Sequence, residues 1–575
     1  MILSLILGPV LAYMIWSLIC LEKNVRVARR VIGVPVIRSP IDGNNIPYQV
    51  FSPFFWMLLD LLPIKWSSYP DFIRFWRGGW HVREKADPHV RLGPVWALVT
   101  PACIELQFAD PDAIMEIYAR RRDFVRPIKQ YRLLEVYGPC ISTAGWDDWP
   151  RHRKVLAAPF SENIMKFVWD ESLRQARSLR RSWFVNAAEA GVPSVQKDVR
   201  ALSLNVLAST GFRKSYDFHG SADAKPKSDE NVEVTGYRET LQTVLDNCIP
   251  LMLIPYRVLT GPFMPKGLAK VGRAGAKFRD YMVQMLEEEK AALKEGRPGV
   301  GGIMTAFVHS LIVHEKEMAQ GMDPKAISVD GKKGLSQEEI FSNMFVINFA
   351  GHDTTANTLA FCMLQMAANP KVQEWLGGEI NRVISADENE EEEWDYKTVF
   401  PKLKRCTAVL YETLRLYPAV VALPKWTEKK AQTLKVGGRT LTVPAGVYTM
   451  AACMAIQQHP QFWGDDAETW RPERWIVRNE MGEEELYVPR EGTFFPWSDG
   501  PQNCPGKKFA EVEAVAFLAC LFRKHRVEAK KTHEGESEEA VRNRVLACVN
   551  DVNMDMLVRM NDPDRVRVVC KEVTV

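Results

Sequence analysis

The sequence lacks the marks of several common protein classes. Its eleven cysteines form no Cys-X-X-Cys pair, no His-Glu-X-X-His motif accompanies them, and no Asn-X-Ser/Thr sequon appears. These absences argue against a zinc cage and a secreted disulfide framework, and they fit a reducing compartment. The formal net charge is only +3, with acidic and basic residues interleaved. A nucleic-acid-binding protein is therefore not indicated, because such proteins concentrate positive charge.

One cysteine stands in an unusual setting. The run 494–506 reads FFPWSDGPQNCPG and places Cys504 just before a predicted helix. Gly500 and Pro501 bend the chain, and Pro505 suits a first helical turn, so the positive end of the helix points back at the sulfur. We expect a thiolate without neighbouring protein ligands, which suits a single axial bond to haem iron. A buried structural cysteine is the alternative.

The pattern FxPWSxGPxNCPGxxFA resembles the haem-binding loop of the cytochromes P-450, especially those of the microsomal fungal type. The resemblance implies a mainly α fold with a small β region, haem b as cofactor, and Cys504 as the axial ligand of its iron. Trp497 stands where the family commonly has phenylalanine. An indole near the thiolate can tune it, but we expect Trp497 to serve in packing.

A second motif, Glu412-Thr-Leu-Arg415, lies in a segment whose apolar spacing predicts a helix that ends before Pro418. Alone it could be a solvated salt bridge. Downstream, the run 470–475 reads WRPERW and resembles the family element whose arginine, here Arg474, completes a Glu–Arg–Arg triad. The resemblance implies a structural role for this triad in folding and haem incorporation.

A third motif, FVINFAGHDTTANT at 345–358, lies in a predicted helix from about Ser336 to Ala368. Gly351 and the polar residues after it predict a local defect in the helix. The resemblance places Thr354 beside bound oxygen and Asp353 as the acid that feeds protons, since cleavage of the O–O bond consumes two protons. The alternative is a plain helix whose threonine hydroxyls bond back to carbonyls one turn earlier.

A fourth motif, Trp149-Pro-Arg-His-Arg153, matches the helix that holds the haem propionates in the family. Indole N–H and guanidinium groups are donors suited to carboxylates. The alternative is a basic helix start on the surface. Two departures stand out, because Gln502 and Lys425 occupy positions that usually carry arginine. The resemblance therefore implies one propionate held by neutral hydrogen bonds and by the point charge of Lys425.

The N-terminus predicts contact with a membrane. About twenty apolar residues precede Lys23, Arg26, Arg29 and Arg30, which predicts a transmembrane anchor at 1–22 with the remaining chain in the cytosol, on the endoplasmic reticulum. A cleaved signal peptide is the alternative. Residues 23–70 form a linker whose apolar patch at 51–64 is expected to lie at the membrane surface. Residues 71–575 then form one catalytic domain.

The resemblance implies a haem-thiolate monooxygenase that inserts one atom of O2 into a lipophilic small molecule, by hydroxylation, epoxidation or multistep oxidation. We expect a role in secondary metabolism, such as terpenoid or polyketide tailoring. No dinucleotide motif appears in the chain, so electrons are expected from a separate NADPH-cytochrome P-450 reductase, docked near Lys507, Lys508, Arg151 and Lys154. A haem-thiolate isomerase, dehydratase or peroxygenase, and a non-enzymatic haem sensor, are the alternatives.

Overall fold

More than half of the described residues lie in helices. The structure is a computed structural model that describes residues 2–43, 45–157, 160–212, 214–223, 236–296, 302–321, 334–384, 394–554 and 556–573. The first α-helices are α1 Ile2–Arg26, α2 Ile46–Asp60, α3 Asp71–Arg74, α4 Trp80–Glu84, α5 Asp87–Leu92, α6 Pro111–Ala119, α7 Ile128–Tyr131, α8 Trp149–Ala157, α9 Glu162–Arg181, α10 Val195–Phe212, α11 Tyr237–Asp246 and α12 Cys248–Leu253. The later ones are α13 Tyr256–Leu259, α14 Lys266–Lys294, α15 Ile303–Ala319, α16 Gln337–Ala368, α17 Pro370–Val383, α18 Tyr396–Val399, α19 Lys404–Leu416, α20 Cys453–Gln457, α21 Pro460–Trp463, α22 Lys507–Phe522 and α23 Glu538–Asn550.

Short strands form one larger sheet and four two-stranded ribbons. The strands are β1 Val36–Arg38, β2 Val95–Val99, β3 Ile104–Phe108, β4 Leu423–Trp426, β5 Gln432–Val436, β6 Arg439–Val443, β7 Tyr448–Ala451, β8 Ile476–Arg478, β9 Glu484–Leu486, β10 His525–Ala529, β11 Val552–Met554, β12 Val558–Met560 and β13 Val568–Glu572. The larger sheet has the order β1-β2-β3-β7-β4. Gly437 and Gly438 turn the chain between β5 and β6 with φ of 54° and 77°, values that favour glycine.

Helix α16 runs through the middle of the core. The Ser336 hydroxyl accepts from the Glu339 N–H and the Glu339 carboxylate accepts from the Ser336 N–H, so the helix begins with a capping box. The helix is continuous through Gly351, and the local defect expected there is not formed. A Cβ atom at Gly351 would lie 3.2 Å from Cδ2 of Leu207 on α10. The glycine therefore permits close packing of the two helices.

The N-terminal segment packs on the rest of the protein. Leu21 and Val25 of α1, with Ala28 and Ile32 after it, are buried against the larger sheet. Between residues 8 and 19 of α1 the apolar side chains are exposed, Trp16 to 59% and Ile19 to 63%. Within the described residues, no helix combines the length and the apolar character needed to cross a membrane. The predicted transmembrane anchor at 1–22 is therefore not supported.

Candidate active site

The loop before α22 presents Cys504. The Cys504 N–H donates to the carbonyl of Trp497 over 2.8 Å, and the Asn503 N–H donates to the carbonyl of Gly500 over 3.1 Å. Ser498 and Gly500 adopt φ of 63° and 67°, so the loop is held in a conformation that few residues accept. Of the eleven cysteines, Cys504 is the only one with an exposed side chain. It is thus not the buried structural cysteine of the alternative interpretation.

The electrostatics of Cys504 differ from the expectation. The Cys504 side chain is accessible, but the surrounding protein excludes much of the water around it, and this desolvation raises the pKa of the thiol, while the Gly506 N–H and the Arg153 charge lower it without offsetting that effect. The predicted effect of the helix start is present in the contact with the Gly506 N–H, but removal of water has the larger effect on the pKa. A coordinated metal ion deprotonates a thiol outright, so the anion at this position depends on the bound metal.

Three cations gather beside the loop. Arg153 donates from Nη1 to the Asn503 carbonyl over 3.0 Å and from Nη2 to Asn503 Oδ1 over 2.8 Å. Lys425 Nζ lies 2.5 Å from Gln502 Oε1, and Arg126 Nη2 donates to the Gln502 carbonyl over 3.2 Å. Burial, and then the charge of Arg126, lower the pKa of Lys425 to about 7.

The charge of these cations is not balanced by the protein. In the described part of the chain, none of Arg126, Arg153 and Lys425 has a carboxylate within salt-bridge distance. Uncompensated buried charge is costly, and buried charges in proteins are normally paired. The two propionates of a haem would supply the missing negative charge. The donor set therefore fits this cofactor, with Arg126 as a member that the sequence motifs did not identify.

Two tryptophans belong to these segments, since Trp149 lies one helical turn before Arg153 and Trp497 lies in the cysteine loop. Trp149 begins α8 and stacks on Trp146 with ring centroids 5.4 Å apart, and its indole N–H meets no acceptor among the described residues. It is thus available as a donor. The Trp497 ring lies 5.9 Å from the ring of Tyr411, and the Lys507 ammonium lies 5.5 Å from its centroid. These contacts show Trp497 packing against its neighbours.

One stripe in the middle of α16 is accessible, although most of the helix is buried. Ala350 is exposed, and Ile347, Gly351 and Thr354 are partly exposed, at the spacing of a single helix face. Hydrogen bonds connect α16 to the cysteine loop, since Asn343 Oδ1 accepts from the Ile141 N–H and the Ile141 carbonyl accepts from Arg126. Thr354 Oγ1 donates to the Ala350 carbonyl over 2.8 Å. The hydroxyl thus lies on the accessible stripe.

Asp353 points to a different side of the helix. Its carboxylate, 5% exposed, accepts from Arg200 Nε over 2.8 Å and from Arg559 Nη2 over 2.7 Å. His352 Nε2 lies 3.2 Å from the same carboxylate. Both oxygens of Asp353 are therefore occupied by arginines from α10 and β12, and the structure does not bring Asp353 to the Thr354 hydroxyl.

The predicted triad is assembled at the core. Glu412 and Arg415 are fully buried on α19, and Arg415 Nε donates to Glu412 Oε2 over 2.8 Å. Arg474 Nε donates to Glu412 Oε1 over 3.0 Å, Trp475 Nε1 to Oε2 over 2.9 Å, and the Arg471 N–H to Oε1 over 2.8 Å. One carboxylate thus anchors the segment that leads to the cysteine loop.

Sequence reasoning missed several residues of the site. Arg126 reaches it because the bridge between Val125 and Trp426 places it beside Lys425. The contact of Asn503 with Arg153 also joins residues that are far apart in sequence, and so do the contacts of Asp353 with its two arginines. Val125 and Trp426 have strand-forming side chains, but no local signal indicates that they pair.

Comparison with known proteins agrees with this geometry. The family pattern described as "Cytochrome P450" matches residues 85–547. A cytochrome P450 monooxygenase of Arthrobotrys oligospora is 25% identical, with 94% of this chain and 96% of that protein covered. The phomenoic acid biosynthesis cluster cytochrome P450 monooxygenase of Leptosphaeria maculans is 26% identical, with 93% of this chain and 94% of that protein covered. A crystal structure of a cytochrome P450 superposes with a TM-score of 0.62 at 17% identity, covering 86% of this chain and 98% of that one.

The family match covers most of the chain and includes the cysteine loop, the triad and the accessible stripe of α16. It confirms the family predicted from the sequence motifs and the mainly helical fold with small sheets. The chain belongs to the cytochrome P450 family.

Proposed function

We propose that the protein is a haem-thiolate monooxygenase that inserts one oxygen atom from O2 into a lipophilic small molecule. The observation that carries the proposal is the set of three cations, Arg126, Arg153 and Lys425, which have no carboxylate partner among the described residues and lie beside the only exposed cysteine. Haem b would be held by Cys504 and by these cations with Trp149. When bound, a haem-thiolate supplies O–O bond cleavage, favoured by electron donation from sulfur.

The residues of α16 would serve the reaction by handling protons. Thr354 presents a hydroxyl on the accessible stripe, where it would hold a proton for the oxygen atom that leaves as water. Asp353 would supply protons only after a movement that frees it from Arg200 or Arg559. Arg559, 40% exposed, has more room to move than Arg200 at 23%.

The test measures oxygen uptake, NADPH consumption and product with an added NADPH-cytochrome P-450 reductase. Cys504→Ala should lose the carbon-monoxide difference band of a thiolate-bound haem. Thr354→Ala should keep that band but release peroxide in place of product. Tightly coupled turnover by Thr354→Ala would contradict the assigned role, and product formation without reductase or NADPH would favour the isomerase and peroxygenase alternatives.

We propose a secondary metabolite as the substrate, such as a terpenoid or polyketide. The support is the relative from Leptosphaeria maculans, whose name places it in a phomenoic acid biosynthesis cluster. Binding spectra against a panel of terpenoids, polyketides and fatty acids test this assignment. A panel member that shifts the haem spectrum and is consumed with NADPH identifies the class.

The proposed electron donor is a separate reductase that docks on the cysteine side. Lys507 and Lys508 begin α22 directly after the loop, and their ammonium groups lie over Trp497 and Phe400 at 5.5 Å and 4.3 Å. Charge reversal of both lysines should slow reduction in a salt-dependent way, because acidic partners are steered by such charge. Lys429→Glu with Lys430→Glu, on the exposed turn before β5, is the matched control. Equal rates for the two double variants would refute this docking face.

We also propose attachment to the endoplasmic reticulum membrane with the catalytic domain in the cytosol. The support is exposed apolar surface on α1 and α2, including Trp16, Ile19, Phe51, Phe54 and Leu58. Co-sedimentation with phosphatidylcholine vesicles, and protease protection in microsomes, test the attachment and its orientation.

A further inference from the structure

A cavity separates the two N-terminal helices. It has a volume of about 540 Å³ and lies between α1, α2 and the turn that joins β2 to β3. Small-molecule sites in proteins span about 300–1,000 Å³. The cavity is thus large enough for a lipid-sized molecule, and none of its lining residues belongs to the cysteine loop or to α16.

Each helix turns one face toward this cavity. Tyr13, Trp16 and Ser17 line it from α1, and Tyr48, Phe51, Ser52 and Phe55 line it from α2. Both sets follow the i, i+3, i+4 spacing of one helix face. On each helix a serine stands among aromatic side chains, so the rings form the walls and the small serines leave the space between them.

The chemistry of the lining restricts the ligand. Six of its residues are aromatic, namely Tyr13, Trp16, Tyr48, Phe51, Phe55 and Trp76, and none is lysine, arginine or histidine. A phosphate or fatty-acid carboxylate would therefore find no cation among the described lining residues. Asn45 donates to the Tyr13 hydroxyl over 3.3 Å, which marks a polar end suited to one neutral hydroxyl group. The aromatic walls supply a large apolar contact area, and a rigid apolar ligand body loses less conformational freedom when it binds there.

The cavity continues into apolar surface. Trp16 and Phe51, which line it, are 59% and 67% exposed, and Leu58 on α2 is 61% exposed. We infer that this cavity is a binding site for a membrane sterol, a planar apolar lipid with a single neutral hydroxyl. The inference rests on the proposed membrane attachment and adds a ligand distinct from the substrate. The hydroxyl contacts the Tyr13–Asn45 end, and the ring system lies between the aromatic faces of α1 and α2.

The test uses the haem-loaded full-length protein and dehydroergosterol as a fluorescent sterol. Energy transfer from protein tryptophan to the sterol, presented in phosphatidylcholine vesicles, should be saturable and should be reversed by ergosterol. Ser17→Phe with Ser52→Phe fills the cavity and should weaken the apparent affinity by about tenfold or more. Ile15→Phe with Met57→Phe places two phenylalanines at exposed positions of the same helices that do not line the cavity, and it should leave the affinity within about twofold.

Three results would overturn the inference. Equal sterol affinity of the two double variants would place the ligand elsewhere. Equal competition by hexadecanol would show that the cavity takes an acyl chain rather than a sterol. A shift of the haem spectrum on sterol addition would place the sterol in the active site. Sterol delivered from a cyclodextrin complex, without vesicles, separates failure of this site from failure of the membrane attachment.

Discussion

Replacement of Glu412 by glutamine is the sharpest test of how the fold holds the cysteine loop. The Glu412 carboxylate is fully buried and accepts from two arginine side chains, one indole N–H and one backbone N–H. The glutamine amide has nearly the same volume, but it carries no charge, and its NH2 group faces donors. Arg415, which is also fully buried, then loses its only carboxylate partner among the described residues.

The expected magnitude follows from the cost of a stranded buried charge. Removal of one partner of a buried ion pair lowers stability by about 3–5 kcal/mol. This corresponds to a factor of at least about one hundred in the equilibrium between the folded and the locally unfolded forms of the region around Glu412. Glu473→Gln is the matched control, because it makes the same change one residue before Arg474 on a partly exposed side chain. We expect the control to change stability by no more than about 0.5 kcal/mol.

A chain of this size seldom unfolds in two states, so a rate is the better measurement. The assay follows loss of the carbon-monoxide difference band with time at a series of temperatures, together with the haem content of freshly purified protein. Glu412→Gln should lose the band far faster than the wild type and should incorporate less haem. Half-lives of Glu412→Gln and Glu473→Gln that agree within about threefold, equivalent to less than about 1 kcal/mol, would refute the reasoning.

Three further predictions concern single charges. Arg126→Leu should speed transfer of haem to apomyoglobin, because the haem propionates lose a cation. Arg122→Leu, on the exposed turn, is the control and should not change the transfer rate. Equal transfer rates for the two variants would show that Arg126 does not contact the haem. Asp353→Asn should slow proton-dependent turnover and enlarge the solvent isotope effect while the carbon-monoxide band stays, and an unchanged isotope effect would exclude a proton role. Burial raises the pKa of Glu513 to about 8 despite the hydrogen bond from Ser203, so the folded state holds a proton that the unfolded state releases above about pH 4.5. Stability should therefore fall by up to about 1.4 kcal/mol per pH unit between pH 5 and 8, and Glu513→Gln should flatten this slope in pH-dependent inactivation rates.

Features that depend on neighbouring residues, such as helix ends and turns, could be predicted from the sequence. The helix predicted from Ser336 to Ala368 corresponds to α16 at Gln337–Ala368, because a Ser-X-X-Glu cap and a long apolar run define its ends locally. The helix of Glu412 ends at Leu416, before Pro418, for the same kind of local reason. The turn at Gly437-Gly438 has a local cause as well, because two adjacent glycines stand between strand-forming residues.

Features that depend on tertiary contacts could not be predicted from the sequence. Gly351 was expected to mark a defect, but it lies in a continuous helix and leaves room for Leu207 of another helix. The pKa of Cys504 was expected to be lowered by the start of α22, yet desolvation by the surrounding protein has the larger effect and raises it. The side on which Asp353 lies depends on Arg200 and Arg559, which are 153 and 206 residues away along the chain.

The contacts of the cysteine loop explain why its unusual conformation persists. Arg153 holds Asn503 from α8, Lys425 and Arg126 hold Gln502 from two other segments, and the triad of Glu412 anchors the chain before the loop. Apart from the triad, these anchors are cations that have no carboxylate partner in the part of the chain that the structure describes. They therefore repel one another until negative charge enters the site. We therefore expect loop and cofactor to stabilise each other, since a ligand that binds only the native state adds its binding free energy to folding. The haem-free protein should show faster proteolysis around residues 497–504 than the loaded protein, while cleavage in the β5–β6 hairpin stays unchanged; equal protection of the loop in both forms would show that the protein alone maintains it.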